Sequence, residues 1–244
     1  MDKLDAGAIA LPGVEVRVLG RCSSTNTLLL EARVAHPVLL AAEEQSAGRG
    51  RRGRRWHSPP GAGITFSLAA PVRRPARELA ALSLVAGVAT ARALRALGAQ
   101  VALKWPNDLV AGEAKLGGIL VETRNAVAVI GVGINCRRVP RLEAQLSRRV
   151  AFLELEDRNL VIRRIAASLL EALQAFEARG LDAVRDEWEA MHAHAGRRLR
   201  VRLADGTTMS GLSQGIAEDG ALRLLTRRGL RAVHSARVLS SRPA

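Results

Sequence analysis

The sequence predicts an α+β protein: a domain built on a β-sheet with helices, then a small β-barrel. Three observations point there. Through residue 194, short apolar runs of strand type are interrupted by a few long helical stretches. Near Gly196 the pattern changes, and short alternating runs follow one another with turn residues at close intervals. Hydrophobic residues make up 48% of the 244, enough for a sizeable core. A segment of about 45 residues has a marginal core alone and normally docks on a neighbour. The boundaries drawn this way are 1–195 and 196–244.

The elements follow in order. Residues 14–19 alternate and are rich in valine, which suits a strand. Cys22-Ser23-Ser24-Thr25-Asn26 comes next, with apolar residues at helical spacing over 27–35. Ser24 or Thr25 caps that helix, because a hydroxyl can accept from the open N–H groups of a first turn. Residues 38–43 read as a second strand. A long irregular segment rich in Gly, Arg and Pro spans 45–63, and a strand resumes at 64–68. Residues 78–97 form an Ala- and Leu-rich helix ended near Gly98. Four apolar runs at 101–104, 109–111, 117–122 and 127–134 are split by turn residues and read as strands of one sheet. Residues 159–179 and 181–194 are helical. From Leu199 on, runs are separated by Ala204-Asp205-Gly206, Glu218-Asp219-Gly220 and Arg228-Gly229, which are hairpin signals.

The formal charge is +14, nearly all of it arginine. Lysine occurs only at Lys3, Lys104 and Lys115. This is compositional bias, so the total charge is weak evidence for nucleic acid. The two interior lysines say more: an ammonium is a compact point charge that arginine cannot always replace at a phosphate or carboxylate. Aromatic residues are 2% with no Tyr, which leaves few stacking platforms for a nucleic-acid-binding module. The longest apolar stretches, such as 80–89, are about half the roughly 20 residues of a membrane span. The N-terminus lacks the features of a signal peptide. A cytoplasmic protein with no membrane association is expected. Cys22 and Cys136 have no neighbours at metal-ligand spacing, so no metal site is assigned.

Four segments carry chemistry. In Gly48-Arg49-Gly50-Arg51-Arg52-Gly53-Arg54-Arg55-Trp56, glycines allow close backbone approach and arginines supply forked donors for an anion. An RNA-binding or solvated arginine-glycine segment is the alternative; a position between two strands favours an ordered ligand loop. Lys104-Trp105-Pro106-Asn107-Asp108 places polar side chains at a strand end, although Pro-Asn-Asp also suits a plain turn. In Lys115–Glu122 a lysine precedes Gly117 and Gly118 at the start of a buried strand. Gly131-Val132-Gly133-Ile134-Asn135 leaves one strand face without side chains, open to a flat ligand or to a bulge.

Together with Ser24-Thr25-Asn26 and Gln45, these segments resemble the catalytic domain of biotin protein ligases. All five motifs of that family stand here in the family's order, over about residues 14–240. The resemblance implies a mixed sheet flanked by helices followed by an SH3-like barrel. It implies that biotin is activated by ATP, with Mg²⁺, to biotinyl-5′-AMP, and then passed to a lysine of a biotin carboxyl carrier domain. Lys115, Arg51 and Asp108 are the catalytic assignments it implies. Ser24, Thr25, Asn26, Gln45, Arg49, Gly50, Arg51, Lys115, Gly118, Leu120, Gly131 and Gly133 would hold biotin. Arg51, Arg54, Trp56, Asn107, Lys115 and Asn135 would serve the nucleotide. Trp105 is a candidate wall or a core residue, and Asn107 and Asp108 are alternatives for nucleotide, Mg²⁺ or incoming amine. Only about a dozen residues precede the first strand, so the short form without a DNA-binding domain, and no specific DNA partner, is expected. The resemblance allows a homodimer and leaves the oligomeric state open. The nearest alternative is a lipoate or octanoate attachment enzyme of the same fold, which needs an apolar tunnel instead of polar ureido contacts.

Overall fold

The computed structural model describes residues 2–140, 149–155 and 157–244. Its larger sheet contains β1 (Glu15–Cys22), β2 (Val38–Gln45), β3 (Gly63–Pro71), β4 (Ala102–Lys104), β5 (Asp108–Ala111), β6 (Ala114–Arg124) and β7 (Val127–Asn135). Their order is β1-β2-β3-β7-β6-β5-β4. β1 and β2 run parallel and the other neighbours antiparallel, so the sheet is mixed. A parallel pair needs a crossover, and α2 (Thr25–Glu31) lies within it. One helical turn, α1 (Ala6–Ile9), precedes β1 and has no counterpart in the sequence reading; Asp5 caps it by accepting from Ala8 N at 2.8 Å.

Alternation decides which face each strand residue serves. On β3, Ile64, Phe66 and Leu68 are fully buried in the main core. That core is completed by α3 (Leu82–Ala96) and α4 (Arg158–Arg179), which lie side by side. The opposite face takes α2: Leu29 joins Val38, Leu40, Ala69 and Val129 in a second cluster. At one end of that second face the strands carry polar residues and glycine instead of apolar ones, and there the cavity opens.

Two helices differ from their expected bounds. The stretch foreseen at 78–97 begins as a 3₁₀ turn, Leu79–Ala81, and becomes α-helical only from Leu82. By length and composition Leu79–Ala96 is apolar enough to cross a membrane, but 67% of it is buried inside the protein, as befits a core helix. The helix foreseen at 181–194 is a 3₁₀ turn, Gly180–Ala183, followed by α5 (Arg185–Met191). The chain leaves the helix at His192 because β4 recruits it: Ala193 N donates to Leu103 O at 2.9 Å.

The C-terminal sheet is antiparallel and SH3-like. It comprises β8 (Arg198–Leu203), β9 (Thr208–Ile216), β10 (Leu222–Thr226), β11 (Gly229–Val233) and β12 (Ala236–Arg242), in the order β11-β10-β9-β8-β12. Gly206 and Gly220 turn at φ 85 and Gly229 at φ 93, where a side chain would be strained. Leu199, Val201, Leu222 and Leu224 belong to the same core cluster as the first domain. Ile216 N donates to Glu189 Oε1 at 2.7 Å. Trp105 is 3% exposed and its Nε1 donates to Gly220 O at 3.0 Å. Trp105 is therefore core at the junction of the two sheets.

Candidate active site

A cavity of about 330 Å³ opens at the C-terminal end of β2 and the N-terminus of α2. Its inner end is neutral and polar. Ser24 caps α2, and Thr25, Asn26 and Gln45 are all buried. Gln45 Oε1 accepts from Thr25 N at 2.7 Å and from Thr25 Oγ1 at 3.1 Å. Ser67 Oγ, buried on β3, lies 2.7 Å from Thr25 Oγ1 and 2.6 Å from Asn26 Oδ1. A hydroxyl carries one proton, so Ser67 serves one of these acceptors at a time, while the Thr25 hydroxyl donates to Gln45. Asn26 Nδ2 donates to Glu122 Oε2 at 2.9 Å and to Leu120 O at 3.2 Å. Glu122 also receives Arg49 Nη2 at 2.7 Å, which ties the arginine loop to β6.

That loop is an ordered hairpin. Trp56 N donates to Gly48 O at 2.9 Å and Gly50 N to Arg54 O at 2.6 Å. A Cβ on Gly48 would lie 2.5 Å from Trp56 O, so the hairpin closes only with glycine there. At the tip Arg52 sits at φ 58 and Gly53 at φ 70. Arg49, Gly50, Arg51, Arg54 and Trp56 all line the cavity. The guanidinium of Arg51 is held below the ordinary arginine value, chiefly by burial and then by Arg52 and Arg54, with Asp108 acting the other way.

The bare face of β7 is occupied by the protein's own side chains. A Cβ on Gly131 would collide with the Asn26 carboxamide, and one on Gly133 with the Trp56 indole. Both glycines still line the cavity, with Gly118 and Leu120 of β6. Their first duty is to seat Asn26 and Trp56, a role the reading of them as a ligand floor does not contain.

The outer end is charged. Lys115 is ion-paired with Asp108; the two side chains are 13% and 20% exposed. Lys115 Nζ lies 6.0 Å from the Trp56 ring centroid, and a Cβ on Gly118 would lie 3.1 Å from it. Asn107 lines the cavity, but its Nδ2 donates to Ile119 O at 2.6 Å while its backbone carbonyl accepts from Ile119 N at 2.9 Å. Asn107 thus pins the strand end to β6. Asn135 stands apart: it lines a different, small pocket, and its Nδ2 donates to Lys115 O at 3.2 Å. Asp108 faces a second cavity of about 500 Å³, which meets the first at Arg51, Arg54, Asn107, Lys115 and Arg237.

Sequence reasoning overlooked Thr65, Ser67, Arg237 and the pairing of Glu122. The signal for the first two was present, since Ile64-Thr65-Phe66-Ser67-Leu68 alternates and puts both hydroxyls on one face. No local signal marks Arg237, which arrives from the C-terminal sheet.

Residues 18–137 match the model of the biotin/lipoate A/B protein ligase family, and residues 194–239 match the biotin protein ligase C-terminal domain. The bifunctional ligase/repressor BirA of Escherichia coli is 38% identical over 227 residues, covering 88% of this chain and 70% of that protein. The biotin–[acetyl-CoA-carboxylase] ligase of Mycobacterium tuberculosis is 35% identical, covering 86% and 83% respectively. Among solved structures, the biotin protein ligase of Aquifex aeolicus in complex with biotin and ATP superposes with a TM-score of 0.80. It is 27% identical, with 94% of this chain and 99% of that one covered.

Proposed function

On the premise that this chain belongs to the biotin protein ligase family, we propose that it activates biotin with ATP and transfers it to a lysine of a biotin carboxyl carrier domain. The observation that carries this reading is the polarity of one cavity, neutral and acceptor-rich at its inner end and cationic at its outer end. A ureido ring brings two N–H donors and one carbonyl. Thr25 and Asn26 line the cavity and offer oxygen acceptors to the ring's N–H groups, with Ser67 hydrogen-bonded behind them. An apolar tunnel, as a lipoyl or octanoyl chain needs, is not what this end provides.

Two bond exchanges follow. A carboxylate oxygen of biotin attacks the α-phosphorus of ATP, and the bond to the bridging oxygen breaks with its electron pair leaving on pyrophosphate. Two anions must meet, so cations fixed along the line of approach lower the barrier. Lys115 is assigned to the carboxylate and α-phosphate. Its ion pair with Asp108 holds the ammonium at the junction of the two cavities. Arg49, Gly50 and Arg51 cover the mixed anhydride. The acceptor amine then attacks the acyl carbon, AMP leaves on the anhydride oxygen, and the amine loses a proton. Magnesium enters on ATP as part of the substrate. Among the described residues no cluster of three or more His, Cys, Asp or Glu is placed to hold an ion by itself. The reaction is assigned to the cytoplasm, where ATP and carrier domains meet.

The test is direct. The protein is incubated with biotin, Mg-ATP and a carrier domain, and intact mass is measured. Addition of one biotinyl group at the carrier lysine is expected, with none from lipoate or octanoate in parallel. Modification by lipoate or octanoate in place of biotin would overturn the reading.

A further inference from the structure

Alternation along β6 puts Gly118, Leu120 and Glu122 on one face. Gly118 and Leu120 line the first cavity, whereas no carboxylate among the described residues does. Glu122 stands one step farther along, opposite Val129 of β7 and beside the apolar cluster under α2. β6 is paired to β7 from Gly117 to Arg124, and Leu29 already holds α2 in that cluster. Neither element needs a charge at this position, and a partly buried carboxylate costs desolvation unless donors meet it. Two donors do so. Glu122 Oε2 accepts from Asn26 Nδ2 at 2.9 Å and from Arg49 Nη2 at 2.7 Å. A single oxygen thus joins the N-terminus of α2 to the arginine loop.

Each contact settles what its partner alone leaves open. A carboxamide can turn either its oxygen or its nitrogen toward a ligand. Asn26 spends Nδ2 on Glu122 and on Leu120 O at 3.2 Å, so Oδ1 is the atom it offers. Arg49 carries donors on both edges of a rigid fork, and pairing through Nη2 leaves the rest of the fork for an anion in the cavity it lines. Its side chain is 42% exposed, so packing alone does not hold the guanidinium there. We propose that Glu122 is a positioning residue. It presents Asn26 as an acceptor and holds Arg49 over the cavity, so that ureido recognition and loop closure are coupled through one carboxylate. The inference rests on the ligase reading above and adds to it the link between the biotin end and the loop. Coupling of this kind is reciprocal. A ring bound at Asn26 favours the closed loop, and an anion that fixes Arg49 tightens the hold on the ring.

Two substitutions in the complete chain separate the duties. Glu122→Gln keeps an oxygen for Asn26 but loses the charge that holds Arg49, and a charge-assisted bond is about twice as strong as a neutral one. Glu122→Ala removes both contacts. By calorimetry the glutamine variant should bind biotin within about twofold of wild type, and the alanine variant about three- to thirtyfold more weakly. In single-turnover adenylation at saturating biotin and ATP, Glu122→Gln should be about three- to tenfold slower. In an Arg49→Gln background the same substitution should change the rate less than about twofold, because the group it acts through is gone. A ligand-free readout is tryptic cleavage between Gly48 and Trp56, mapped by mass, which should be about three- to tenfold faster in Glu122→Gln at an unchanged melting temperature. Wild-type adenylation and loop cleavage in a folded Glu122→Gln, or equal slowing with and without Arg49, would overturn the assignment. If the wild type shows no biotin-dependent adenylation, the ligase reading falls; faster loop cleavage in Glu122→Gln would still support the tether, and equal cleavage would overturn it.

Discussion

Lys115→Arg keeps a positive charge and moves it. In the native site the ammonium is ion-paired with Asp108, closes over Gly118, where even a methyl group would come within 3.1 Å, and lies 6.0 Å from the Trp56 ring. The side chain is 13% exposed, hemmed in by Asp108, Gly118 and Trp56 on one side and open to the two cavities on the other. A guanidinium is longer and planar. It must either displace Trp56 from its seat on Gly133 or swing toward the second cavity, past the α-phosphate position. Either way the charge no longer faces the point where carboxylate and phosphate meet. Losing one such fixed donor costs roughly 2–4 kcal/mol of transition-state stabilisation, or about 30- to 1000-fold in rate. The ion pair with Asp108 survives in altered form, so the melting temperature should move little. The assay is single-turnover pyrophosphate release with saturating biotin and ATP, beside thermal unfolding of the same preparation. Release near the wild-type rate from a folded variant would refute the role given to Lys115.

Further outcomes are expected. Arg51→Gly should release biotinyl-AMP about ten- to a hundredfold faster, because a charge-assisted contact worth roughly 1.5–3 kcal/mol is lost and the loop gains freedom; biotin on bystander albumin would show it, and labelling confined to the carrier domain would sink it. Ser67→Ala should weaken biotin binding about three- to thirtyfold, since the hydroxyl is shared by Thr25 and Asn26; calorimetry showing an unchanged affinity would count against the ureido assignment. Reversing the charge of Arg227 and Arg228 should slow transfer to an acidic carrier but not biotinyl-AMP formation, and equal effects on both steps would leave these arginines as composition only. Stability should fall on mild acidification. Burial, with His194 nearby, holds His192 at about 3, and burial, with Lys104 and Arg197, holds His194 at about 4. Both folded values lie below the unfolded one, so the unfolded chain takes up protons first as pH drops through about 6.5. The loss approaches about 1.4 kcal/mol per pH unit for each histidine, or roughly 2–3 kcal/mol in total at pH 5.5. Urea unfolding at pH 7.5 and 5.5 should show it, and His192→Phe, which keeps a ring against Trp188, should remove about half; no change between the two pH values would contradict it.

The contrast between Ser67 and Arg237 shows what a sequence can disclose. Contacts made within a strand or across one turn leave a periodic trace. The strands of the large sheet, the Ser24 cap, the hairpin glycines and the Lys115 segment were legible for that reason. Ser67 was legible as well, because alternation on β3 separates Thr65 and Ser67 from the core residues; it was missed because a short apolar strand invites reading as core alone. Gly131 and Gly133 were found for an incomplete reason. A glycine reports that something approaches the backbone, but not whether it is a ligand or the protein's own Asn26 and Trp56. Asn135 shares a motif with these glycines, yet it lines a different pocket from them and its amide ties β7 to Lys115 O. Arg237 left no trace of any kind. It reaches the cavity only because the C-terminal sheet docks through Trp105 and Glu189, a long-range packing event that no local period encodes. Its partner Arg202 is invisible for the same reason, since the two are 35 positions apart and meet only through the β8–β12 register. Function that depends on register between distant strands therefore has to be read from the fold. In this chain that part is the outer cavity between the two sheets, where Arg202 and Arg237 meet, while the inner end around Ser24, Thr25, Asn26 and Gln45 is written locally.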